Sequence, residues 1–62
     1  MWKFELWHDG QCLREEDGFE TESEAEEEGK ECAKQRIQYW KDEDAWDGET
    51  VDDFDIRVEE VN

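Results

Sequence analysis

The chain contains no proline, and no internal repeat or linker-like stretch divides it. Sixty-two residues make one domain at most, so residues 1–62 are read as a single unit. Histidine occurs once, as His8, and serine once, as Ser23. Nucleophilic catalysis needs a base held against its nucleophile. His8 falls at a turn and is read as an exposed turn residue; Ser23 falls in the first turn of a helix. Cys12 lies four residues beyond His8 across that turn, a spacing that supplies no base geometry. Carboxylates are too abundant to single out a catalytic pair, which requires a pocket that separates two pKa values. No enzymatic activity is expected.

Cysteine is scarce as well, with only Cys12 and Cys32. Two cysteines and one histidine make a poor zinc set, so no metal or other cofactor is expected. Cations are the rarer charge: seven Lys and Arg stand against 22 Asp and Glu, for a net charge of −15. Phosphate contacts require Lys and Arg, so nucleic acid and anionic membrane surfaces are repelled. The same charge opposes compaction and is screened by salt. No basic segment precedes a long apolar run, as it does in a signal peptide. No stretch approaches the roughly twenty apolar residues of a membrane span. The expected location is the cytoplasm.

What the chain has in quantity is aromatic bulk: four Trp, three Phe and one Tyr. Each can bury on the order of 150–250 Å², which suits a small folded core and not a disordered acidic tail. "WKFELW" alternates, with Trp2, Phe4 and Leu6 on one face and Lys3, Glu5 and Trp7 on the other, the period of a strand. Asp9-Gly10 follows, a type I′ hairpin signal because both central residues need positive φ. The two-residue turn sets Trp7 opposite Cys12, Leu6 opposite Leu13 and Glu5 opposite Arg14. Phe4 then faces Glu15, so the second strand is expected to fray there and "EEDG" to turn.

A helix is expected from the capping-box pair Thr21 and Glu24 to about Asp42. Its acids come first and Lys30, Lys34, Arg36 and Lys41 later, the order the helix dipole favours. Steps of about 100° per residue place Ala25, Gly29, Cys32, Ala33, Arg36, Tyr39 and Trp40 on the inner side, with Ile37 at its edge. Gly29 costs helix propensity, which close approach to a sheet would justify. Arg36 is expected to lay its stem on apolar surface and reach a carboxylate with its head. "FDIRV" alternates again, giving a last strand within 53–61 with Phe54, Ile56 and Val58 inward.

The fold class is therefore α+β: a ββαβ domain with a three-stranded antiparallel sheet of order 2-1-3 and one helix on one face. Cys12 and Cys32 fall on opposite sides of the sheet, so both are expected as free thiols. The open face, with Trp7 and Cys12, is a candidate homodimer contact. The joint "DGFETESEAEEE", residues 17–28, resembles the hairpin-to-helix joint of HicB-like antitoxins and of the arm-binding domains of phage integrases. The integrase-type domains bind DNA through basic residues this sequence lacks, so no functional residue is carried over.

"DEDAWDGETVDDFD", residues 42–55, places Trp46 among carboxylates. The calcium-loop pattern D-x-[DN]-x-[DN]-G-x5-E fails whether started at Asp42 or aligned on Gly48. A non-motif divalent-cation site in this loop is the weakest of three readings. The leading one is an interaction module for a basic partner surface, such as that of a nucleic-acid-binding protein, which a carboxylate array can occupy as a mimic. Glu24, Glu27, Glu28 and Glu31 would supply the field, and Trp7 or Trp46 the apolar contact. The alternative is an accessory protein whose acidity is adaptation to a salty, halophilic cytoplasm. Trp46 itself is expected to pack beneath its loop.

Overall fold

The computed structural model describes residues 1–62. In chain order the elements are β1 (Trp2–His8), β2 (Gln11–Phe19), α1 (Glu22–Asp42), a single 3-10 turn (Val51–Asp53) and β3 (Asp55–Glu60). The sheet order is β2-β1-β3, with both neighbours antiparallel to β1. This is the expected α+β architecture. β1 is central because it carries Phe4 and Leu6, the two largest fully buried side chains. Asp9 and Gly10 both have positive φ, 54° and 78°, as the two-residue hairpin requires.

The hairpin register holds for one predicted pair and then departs. Trp7 faces Cys12, but Leu6 faces Arg14 and Glu5 faces Glu15. Leu13 is the extra residue of a β-bulge, and it still packs against the core. A one-residue slip exchanges the faces of everything beyond it. Glu16, not Glu15, therefore lies opposite Phe4. A second irregularity between Trp2 and Phe4 coincides with Gly18 at φ +91°, and it returns Phe19 to the core side. Phe19 then packs on Phe4 in a tilted pair, 5.8 Å between ring centroids. The strand does not fray at Glu15, and "EEDG" is strand, because Lys3 bridges Glu5 and Glu15 at 3.6 Å each and Phe19 anchors the far end.

Thr21 caps α1, its Oγ1 accepting the Glu24 N–H at 3.1 Å; the return arm of the expected capping box is not made. The inner side begins as expected, with Ala25, Gly29, Cys32 and Ala33 buried. An added Cβ on Gly29 would stand 2.6 Å from Ile56 Cγ2 and 3.3 Å from Phe4 Cδ2, so the close approach is real. Farther along, the helix outruns the sheet. Twenty-one residues span about 31 Å, and the seven of β1 span about 23 Å. Tyr39, expected inside, is 57% exposed, while Trp40 beside it packs against the core.

At that end Trp40 meets Phe54 and His8, with centroids 4.8–5.7 Å apart. His8 is thus a half-buried member of an aromatic cluster and not an exposed turn residue. Arg36 is half-buried and makes none of the six ion pairs, so its expected carboxylate partner is absent. Both cysteines are free, Cys12 exposed and Cys32 buried.

The helix ends in a Schellman arrangement. Ala45 N–H donates to Trp40 O at 2.8 Å and Asp44 N–H to Lys41 O at 3.2 Å. Asp44 takes the left-handed conformation, φ +58°, where glycine is the usual residue. It also adds a negative charge at the negative end of the helix dipole. Asp44→Gly is expected to stabilise the domain by about 0.5–1 kcal/mol, read as a higher urea midpoint at unchanged slope. An unchanged or lower midpoint would count against strain at this position.

Candidate functional site

Glu24, Glu27, Glu28 and Glu31 are all exposed. With Phe19, Lys30 and Lys34 they line one shallow groove along the flank of α1 that borders β2. Their backbone is held in place because the inner side of the same helix, Ala25, Gly29, Cys32 and Ala33, lies flat on the sheet. Neutralisation is sparse. Lys34 reaches Glu31 at 3.4 Å, and Lys30 is drawn to Glu26 at 3.6 Å. Glu24, Glu27 and Glu28 make no ion pair.

The two tryptophans considered with this array are not beside it. Trp46 follows the far end of α1 and is 43% exposed, so the expectation that it packs beneath its loop is corrected. Its indole N–H donates to Glu49 O at 2.9 Å, and Asp47 N–H donates to Glu49 Oε2 at 2.8 Å. These bonds close the loop on itself and leave the ring outside, where Lys41 Nζ stands 4.6 Å from its centroid. Trp7 lies on the opposite side of the sheet from α1, half-buried, with the Arg57 guanidinium 4.5 Å from its ring centroid. One flat partner surface therefore cannot meet the helix array and Trp7 together.

The sheet face around Trp7 is a charge network. The Trp7 indole N–H donates to Glu5 Oε1 at 3.0 Å, and this bond is the chief reason the Glu5 carboxyl lies below its ordinary range. Lys3 is raised above its ordinary value, chiefly by the charge of Glu15. The signs differ. The Glu5 contribution to stability is complete above the ordinary carboxylate pKa and is lost as pH falls through the lowered value. That of Lys3 is complete below the ordinary amine pKa and is lost as pH rises through the raised one.

The carboxylates of residues 42–55 are partly engaged in local backbone and side-chain bonds. Asp42 accepts from Gln38 Nε2 at 3.0 Å, and Asp53 accepts from Thr50 N–H at 2.9 Å. No three of them converge on a common point; the one such convergence of metal-ligating side chains is Glu16, Glu28 and Cys32, whose ligand atoms lie within 4.8 Å of one another. Sequence alternation missed this group because it places Glu16 on the other face. The available signal was Gly18, since an isolated glycine in a strand pattern marks a bulge. Burial pushes the Cys32 thiol up, and the nearby Arg14 charge opposes that. Arg14 itself bonds Glu16 Oε1 at 3.1 Å.

No helix is long and apolar enough to cross a membrane. Comparison with protein-family models, curated proteins and solved structures finds no match to this chain.

Proposed function

We propose that this is a non-catalytic acidic module that occupies a basic surface on another protein, in the place of nucleic acid. The observation that carries the reading is the set Glu24, Glu27, Glu28 and Glu31, exposed on one groove of a helix pinned to its sheet, with three of the four unpaired. Seven residue steps of helix span about 10 Å, or one charge per about 3.5 Å. Each strand of duplex DNA carries one per about 3.4 Å of axis. The array is thus of comparable density and is presented without conformational search, since a helix held by packing has little entropy left to lose. The end of α1 at Asp42 is about 16 Å beyond Glu31 along the axis; Trp46 follows that end and serves a partner long enough to reach it. The charges set the rate of encounter, and a buried aromatic contact sets the residence time.

Two charge-matched variants test this. One replaces Glu24, Glu27, Glu28 and Glu31 with Gln; the other replaces Asp42, Glu43, Asp44 and Asp47 with Asn or Gln. A basic partner captured by the parent at low salt is expected to be released by added salt and by competing duplex DNA. The helix variant should lose that partner far more completely than the loop variant. Equal loss in both variants, or capture of no basic protein, would reduce the acidity to a general solvated charge. Melting that keeps rising through molar salt would then favour the salt-adaptation reading.

A further inference from the structure

We propose that Glu16, Glu28 and Cys32 form a site for a divalent ion of the zinc class, with two carboxylates and one thiolate as ligands and the fourth position open to water. This goes beyond the acidic-face reading, and it concerns the chain alone. The three side chains meet for a structural reason. Glu28 and Cys32 are four residues apart on α1 and so lie one above the other on its surface. Glu16 reaches them because the Leu13 bulge turns it to the helix side of the sheet. Their ligand atoms lie within 4.8 Å of one another, and tetrahedral zinc needs separations of about 3.5 Å. Glu28 is exposed and free to close that gap by side-chain rotation.

The independent pointer is the thiol. Cys32 is 7% exposed and makes no hydrogen bond, yet its sulfur faces two carboxylates. Cys12 by contrast is exposed and donates to Arg14 O at 3.7 Å. A structural cysteine is ordinarily surrounded by apolar groups alone; Cys32 belongs to the apolar core cluster, yet its sulfur also comes within 4.8 Å of the Glu16 and Glu28 carboxylates. It also borders a cleft of about 260 Å³ whose other walls are Leu6, Arg14, Gln35, Arg36 and Tyr39; two guanidiniums line that side, so an ion enters from the exposed Glu28 side. The thiolate selects zinc-like ions over magnesium and calcium, which prefer all-oxygen sites. As the sulfur–metal bond forms, the Cys32 proton passes to solvent. The net charge of −15 raises the local concentration of any divalent cation. Arg14 is the competitor, since its guanidinium holds Glu16 at 3.1 Å. The ion has to displace that pair.

Cobalt(II) is the probe, because a cobalt–thiolate bond gives a charge-transfer absorption that carboxylate ligation does not. Titration of the reduced chain is expected to produce this band and to saturate at one ion per chain. Cys32→Ser should abolish the band and Cys12→Ser should keep it. Glu16→Gln should weaken binding roughly tenfold or more, given that even outer-shell partners change metal affinity by 10–100-fold. Arg14→Gln, on the exposed surface, should tighten binding by freeing Glu16. The proposal is overturned by cobalt uptake without the band, by a band that survives Cys32→Ser, or by an Arg14→Gln variant that binds no more tightly than the parent.

Discussion

Phe4→Ala is expected to leave the domain largely unfolded at room temperature. Phe4 is completely buried and is one of two side chains that are large and fully enclosed. Its ring lies beneath Gly29, packs on Phe19, and sits on the strand between Glu16 of β2 and Val58 of β3. Truncation of a buried Phe costs about 3–5 kcal/mol. A domain of this length has about 3–9 kcal/mol in all, and self-repulsion at −15 places it toward the low end. Seven buried residues leave no second core to take over. Far-ultraviolet circular dichroism with urea titration checks this. A cooperative transition within about 1 kcal/mol of the parent would mean that Phe4 is not the centre of the core.

Gly29→Val is expected to cost about 3 kcal/mol, through contact and not through helix propensity. On an exposed helix face the same change would be mildly favourable. Here the first added carbon already meets Ile56 Cγ2 at 2.6 Å. That methyl is attached at the β-carbon, and β-branched side chains are stiff at χ1, so the obstacle cannot swing away. Gly29→Ala separates the two effects. It gains up to about 1 kcal/mol of propensity and still should lose stability overall. Ile56→Leu removes the offending methyl, so the double variant Gly29→Ala with Ile56→Leu should lose less than the sum of the single ones, by about 1 kcal/mol. Additive losses would place the strain elsewhere. Both experiments probe the helix–sheet contact that holds the acidic face in place.

The misreadings share a cause. His8 and Trp46 lie where an element ends, and Arg36 and Tyr39 lie beside an open cleft. Periodicity states which side of its own element a residue occupies, but not whether a neighbour extends far enough to cover it. Tyr39 borders an open cleft with Arg14 and Arg36 and has no cover, while Trp40, one residue on, packs on the core. His8, at the turn end of β1, is covered because Trp40 and Phe54 reach it. Trp46 stays outside because Glu49 O satisfies its N–H within the loop.

The sequence alone determined the element order, the central place of β1 and the start of the helix at Thr21, and it offered close approach to the sheet as a reason for glycine at position 29. Each follows from local pattern: alternation, turn chemistry, a cap, or a propensity cost that only close packing offsets. The acidic helix face was equally legible, because 100° spacing sorts Glu24, Glu27, Glu28 and Glu31 without reference to the rest of the chain. Only the tertiary structure decided which carboxylate of β2 meets Cys32. Alternation assigns faces only while the ladder is unbroken. The Leu13 bulge breaks it, and the reversal at Gly18 brings Phe19 onto Phe4. Between those two points Glu15 and Glu16 exchange sides, and Glu16 comes to stand beside the one buried thiol.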